Sequence, residues 1–338
     1  MNSLHPLWIH DSLRAAALRQ KRIASLTSGQ IDPALHYLSP RQAELWLAVH
    51  RAHAPRFATQ KTPTLYESAS LHLAHSLAGK PLHVIGLGAG GGTKESLLLS
   101  TLQRAGCPIR YTPLDASVEL AIVSAEAAAP FVSEPSTPVA ADLQLLAAGP
   151  SWIGSPEDPA PRVYTAFGLT PNLDPATLFP LLRSALRPGD RLLLSANLAP
   201  WTDPPGDVLQ APLATGYRQA CERILPQYEN PETRLWLRQA LLDWGLHERL
   251  GPLEFSIEPR GPLFAITVSA TWLENAAFLW EGSPLEVSAG DRLGVFFSLR
   301  YTPARMERLA REYGLRPERE FLTECAQEGV WSFVAGQG

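Results

Sequence analysis

The stretch Leu82-His-Val-Ile-Gly-Leu-Gly-Ala-Gly-Gly-Gly-Thr-Lys-Glu95 carries a short apolar run into a glycine cluster and then into a helical pattern. It predicts a strand, a tight loop and a helix. Gly86, Gly88, Gly90, Gly91 and Gly92 lack a Cβ, so the backbone there can take left-handed dihedrals and approach a bound molecule closely. The following helix offers free N–H groups at its start. A nucleotide-type cofactor suits such a loop, although glycine-rich turns also serve as plain connections.

The next extended run, Arg110-Tyr-Thr-Pro-Leu-Asp115, ends in an acid. It lies about 20 residues past the loop, where nucleotide-binding α/β folds place a carboxylate on the ribose hydroxyls. Asp115 can accept from both hydroxyls; its competing reading is an N-cap for the helix that begins near Ser117. Asp142 closes a further segment, Val139-Ala-Ala-Asp142, and has the same two readings.

Further along, strand 82–87, helix 93–105, strand 110–115, helix 117–128, strand 137–141, strand 162–168, helix 175–187 and strand 190–197 alternate. This predicts a doubly wound, parallel α/β sheet with ligands at the carboxyl ends of its strands. The Pro-rich stretch Ser155 to Pro161 is expected to be a surface loop. After the fourth strand comes Ala166-Phe-Gly-Leu-Thr-Pro-Asn-Leu-Asp-Pro175, where Gly168 can present backbone and Asn172 a donor and an acceptor to a substrate, unless Asn172 only shapes the turn.

The flanks differ from this core. Residues 1–78 read as a helical layer, with apolar spacing over Ser12 to Ala24 and Pro40 to Ala54, and Tyr37 just before the second helix either reaches a ligand or packs beneath it. Residues 200–289 read as an inserted lobe: helices over Tyr217 to Leu225 and Glu232 to Leu246, then strands over Phe255 to Glu258, Leu263 to Trp272 and Ala276 to Trp280. Tyr228, between the two helices, is a candidate to close over a substrate. Strand Arg292 to Leu299, helix Pro303 to Tyr313 and strand Val330 to Val334 are expected to return to the sheet, so 79–199 and 290–338 form the cofactor-binding domain.

Composition bounds the partners. The chain has 338 residues, 45% of them hydrophobic, and a net charge of −4, enough to bury a sizeable core and without the basic stripe of a nucleic-acid binder. Cys107, Cys221 and Cys325 are too scattered for a disulfide framework or a zinc site. The first 22 residues do not read as a secretory leader, and no run reaches the roughly 18 apolar residues that span a bilayer. A cytoplasmic protein with a small-molecule partner, no membrane, no nucleic acid and no metal is expected.

Gly86 to Lys94, Tyr111 to Asp115, Phe167 to Pro175, Tyr228-Glu-Asn-Pro231 and Ser298-Leu-Arg-Tyr-Thr-Pro303 together resemble the histidine-specific methyltransferase family of ergothioneine biosynthesis, in order and spacing, over roughly residues 80 to 335. The resemblance implies a seven-stranded Rossmann-like sheet and S-adenosyl-L-methionine as cofactor. It implies that Gly86, Gly88, Gly90, Phe167 and Gly168 border that cofactor, that Lys94 holds its methionine carboxylate, Asp115 its ribose and Asp142 its adenine amino group. Asn172 and Tyr228 match the residues that position the acceptor amine, with Phe296 and Ser298 beside the substrate; Tyr37, which lies outside the resemblance, is a further candidate to contact the substrate.

One departure shapes the expected substrate. The family carries Glu-x-Ser in its sixth strand to read imidazole, and this chain has Phe296-Phe297-Ser298. Loss of that carboxylate removes a charge-assisted bond worth on the order of 1.5–3 kcal/mol, which disfavours histidine. The expected reaction is N-methylation of the α-amino group of an amino acid, or of a related small amine. Alternatives are a methyltransferase of a peptide or other metabolite, or a non-catalytic S-adenosylmethionine-binding subunit.

Overall fold

The computed structural model describes residues 6–53, 62–148, 160–210 and 212–336. Ala54 and most of Ser155 to Pro161 lie outside them. The main sheet is built from β1 (Trp8–Ile9), β2 (Leu82–Leu87), β3 (Ile109–Asp115), β4 (Val139–Ala140), β5 (Arg162–Ala166), β6 (Arg191–Asn197), β12 (Leu315–Leu322) and β13 (Glu328–Ala335). Their order is β1-β4-β3-β2-β5-β6-β13-β12. All pairs up to β6 are parallel, and β13 runs antiparallel to both of its neighbours.

Helices cover both faces: α1 (Ala15–Ser28), α2 (Pro40–His53), α3 (Thr62–Leu77), α4 (Thr93–Arg104), α5 (Val118–Ala128) and α6 (Pro175–Ala185), followed by α7 (Thr215–Glu222), α8 (Pro231–Asp243) and α9 (Pro303–Glu312). β2 is buried along its whole length, as a strand covered on two sides must be. The period of two sorts the side chains between the layers. In β6, Leu192 and Leu194 join Leu178, Phe179 and Leu182 of α6, whereas Leu193 joins Leu98, Leu99 and Leu102 of α4. Among the described residues no helix is long and apolar enough to cross a membrane.

Three readings of the sequence are corrected. The strand expected to return to the main sheet, β11 (Arg292–Arg300), pairs instead with β8 (Leu263–Thr271) in a three-stranded antiparallel sheet completed by β7 (Glu254–Arg260). The second segment of the main sheet therefore begins with α9, not at residue 290. β11 is apolar on both sides because Phe297 and Leu299 enter the main core while Phe296 enters the lobe's own core, so its pattern fits either sheet. The sheet also has eight strands rather than seven, because the N-terminal layer adds the two-residue β1 alongside β4. β12 was not anticipated as a strand, since Arg316, Glu318, Arg319 and Glu320 give an exposed edge no apolar alternation. A further ribbon, β9 (Ala276–Trp280) with β10 (Ser283–Val287), completes the lobe.

A buried ion pair joins the lobe to the sheet. Arg305 Nε lies 3.0 Å from Asp203 Oδ1, with both side chains only 2% exposed. Thr302, which caps α9, donates to the other oxygen of Asp203, and Arg305 Nη1 donates to the Pro262 carbonyl at 2.6 Å. Substituting Asp203→Ala leaves the guanidinium buried without its anion. The expected loss is about 3–5 kcal/mol of unfolding free energy, read by chemical denaturation.

Candidate functional site

The site lies at the carboxyl ends of the parallel strands, where the glycine loop passes from β2 into α4. Gly88 (φ +60°) and Gly90 (φ +54°) take the left-handed conformation. A Cβ on Gly88 would stand 2.5 Å from Leu169, and one on Gly90 2.6 Å from Trp46. Both positions thus need glycine for shape as well as for dihedral. Gly86 does not border either cavity: it sits inside β2, where its missing side chain makes room for the Tyr111 hydroxyl.

A cavity of about 270 Å³ opens over this loop. Gly88, Gly90, Lys94, Asp115, Asp142, Phe167 and Gly168 border it, together with Glu95 and Thr93. Asp115 stands at the end of β3 and accepts from the Gly90 N–H at 2.9 Å and the Ser117 N–H at 2.9 Å. Burial pushes its carboxyl up to about 6, and those N–H donations pull the other way. The helix cap is supplied by Ser117, whose hydroxyl accepts from Leu120 N–H, so Asp115 is not needed as one. Glu95, in the first turn of α4, is likewise pushed up to about 7 by burial.

Asp142 is not free for an adenine amino group alone. Its carboxylate is paired with Lys21 of α1, which also reaches Asp32 at 3.1 Å, and its own N–H donates to Ser12. Burial works against the Lys21 ammonium, and the two carboxylates outweigh it, holding it above its usual range. The N-terminal layer thereby closes the outer end of the cleft.

A second cavity, of about 430 Å³, adjoins the first. Tyr37, Asn172, Tyr228, Phe296 and Ser298 all border it, so the structure brings together every residue expected on the substrate side. Tyr228 Oη accepts from Asn197 Nδ2 at 3.1 Å and lies 3.1 Å from Ser298 Oγ. Tyr37 both packs and faces the cavities: its ring lies 5.5 Å from Trp236 and 6.0 Å from Trp46. Phe296 meets Trp236 edge-on at 5.5 Å, which gives this chamber an aromatic wall.

Several residues of the site were not anticipated. Trp46, His50 and His53 of α2 line the chamber from one helix face, a spacing visible in the sequence but indistinguishable from ordinary packing. His50 stacks on Trp46, and burial, then the nearby Lys94 charge, push it down to about 4. Arg300 and Glu328 also line the chamber, and both are 3% exposed. Lys94 Nζ lies 3.1 Å from Glu328 Oε1, to which the Tyr66 hydroxyl also donates, and 4.6 Å from the Tyr66 ring centroid. Burial opposes the Lys94 ammonium, but Glu328 and Tyr66 more than offset it and raise it above its usual range. The carboxylate role expected of Lys94 must be filled while it holds Glu328.

No family model and no curated protein matches the chain. Among solved structures it is similar to the CcbJ methyltransferase from Streptomyces caelestis, at 16% identity and a TM-score of 0.36 over 81% of this chain and 96% of that one. The 1,6-didemethyltoxoflavin-N1-methyltransferase of Burkholderia thailandensis aligns at 14% identity and a TM-score of 0.42 over 96% and 89%. The mitomycin 7-O-methyltransferase MmcR aligns at 15% and 0.40 over 96% and 70%.

The buried carboxyls give the ligand-free protein a pH signature. For Asp115 and Glu95 the folded values, about 6 and about 7, lie above the unfolded ones, so the folded state favours their protonated forms. Their stabilising contribution is complete below the usual carboxylate range, about 4, and is lost as pH rises through about 6 and about 7. Across that window the unfolding free energy should fall with rising pH, and the slope should flatten in Asp115→Asn and in Glu95→Gln.

Proposed function

We propose that this protein is an S-adenosyl-L-methionine-dependent N-methyltransferase acting on the amino group of an amino acid or related small amine other than histidine. The observation that carries this reading is a shared wall. Tyr37, Trp46, His50, Lys94, Gly168 and Asn172 border both the cleft over the glycine loop and the aromatic chamber. A donor held in the first and an acceptor held in the second would face each other across those six residues.

The residues in place suit the cofactor. Two left-handed glycines open the loop to close approach, Asp115 offers carboxylate lone pairs for the ribose hydroxyls, and Lys94 keeps further N–H donors beyond the one it gives Glu328. When bound, the cofactor supplies an already activated sulfonium methyl, so the chain's task is alignment and exclusion of water. Asn172 stands where the cavities meet and can orient the acceptor amine. Tyr228, fixed between Asn197 and Ser298, supports the acceptor from the far side. Phe296, packed on Trp236, offers a ring face where an imidazole would need a charged partner, which favours an apolar or aromatic acceptor.

Calorimetric titration with S-adenosylhomocysteine tests the donor half of this reading. The wild-type chain should bind one equivalent, and Asp115→Ala should weaken binding by about tenfold to a hundredfold. Undiminished affinity in that variant would sink the assignment. A mass-spectrometric screen of amino acids and simple amines for methylated products tests the acceptor half.

A further inference from the structure

We infer that the chamber recognises a zwitterion: an amino carboxylate with an aromatic or apolar side chain, its carboxylate held by Arg300 and its amine end facing Glu328. The inference rests on the methyl-transfer reading only for which end is modified. Along β11 the period of two brings Phe296, Ser298 and Arg300 to the chamber side. Arg300 is buried, its guanidinium lies 4.7 Å from the centroid of the Tyr228 ring, and its Nε and Nη2 have no hydrogen-bond partner among the described residues. No carboxylate among them forms an ion pair with it. A guanidinium removed from water without an anion is strongly unfavourable, and its planar set of donors matches a carboxylate.

The opposite charge lies in the same cavity. Glu328 spends Oε1 on Lys94 and Tyr66, while Oε2 is buried and unpartnered. The chamber thus holds one unsatisfied cation and one unsatisfied anionic oxygen that do not pair with each other. A plain amine would leave Arg300 without an anion, and a plain carboxylic acid would leave Glu328 Oε2 without a donor; a zwitterion satisfies both. Its direction also follows. Glu328 is bonded to Lys94, which borders the donor cleft, whereas Arg300 borders only the chamber, so the amine end points toward the donor. Tyr37, Trp46, Trp236 and Phe296 leave an aromatic surface for the side chain.

Calorimetry on the full chain, with and without S-adenosylhomocysteine, would compare L-phenylalanine and 3-amino-3-phenylpropanoate with phenethylamine and 3-phenylpropanoate. One zwitterion should bind about tenfold or more tighter than either singly charged analogue. Arg300→Met should bring that zwitterion down to the affinity of phenethylamine without changing S-adenosylhomocysteine binding, and Arg300→Lys should recover part of the loss. Phenethylamine binding as tightly as the better zwitterion, or Arg300→Met leaving zwitterion affinity intact, overturns the inference. If S-adenosylhomocysteine binds and neither zwitterion does, the inference falls and the methyl-transfer reading stands. If the zwitterion binds and S-adenosylhomocysteine does not, the methyl-transfer reading falls and the zwitterion site stands.

Discussion

Half-buried Lys94, which borders both cavities, meets buried Glu328 and Tyr66, and the geometry of the site depends on the mutual neutralisation of lysine and glutamate. Either charge alone would be strongly unfavourable away from water; in contact, each supplies what the other lost. The cluster also joins three elements distant in sequence, since Tyr66 comes from α3, Lys94 from α4 and Glu328 from β13. Lys94 borders both cavities, and Glu328 borders the chamber.

Glu328 arrives there because β13 runs against the other strands. It is the first residue of β13 and pairs with Asn197, the last of β6, so the beginning of one strand reaches the same edge as the end of its neighbour. A parallel strand would have delivered its last residue to that edge instead. The turn that leads into β13 places Thr323, Cys325 and Gln327 on the chamber wall, where Gln327 is bonded to Gln227 of the inserted lobe at 3.2 Å. The N-terminal layer closes the other side through Lys21 at the cleft and through Trp46 and His50 at the shared wall.

Much of the cleft over the glycine loop was legible locally. A buried strand, a glycine loop and a helix follow one another without interruption from Leu82, and the next strand ends at Asp115, so period and spacing were enough to place them. The aromatic chamber was legible in its residues and not in its frame. Tyr228, Phe296 and Ser298 border the chamber, yet β11 carries Phe296 and Ser298 there from the lobe's own sheet. Arg300 lies inside the Ser298 to Pro303 stretch without standing out from it, and Glu328 gives no signal at all, because an arginine ending one strand and a glutamate beginning another are ordinary surface residues until their surroundings remove the water.

The sequence by itself determined the order of strands and helices through the core, the loop that only glycine can form, and the acid that faces it. These are local matters, set by dihedral freedom and by the alternation of apolar side chains over a few residues. The tertiary structure decided which sheet each late strand joins, that Lys21 shares Asp142, and that a buried arginine and a buried glutamate look into one aromatic chamber. Those outcomes depend on which desolvated charges find partners across hundreds of residues, and no short window of sequence contains both members of such a pair.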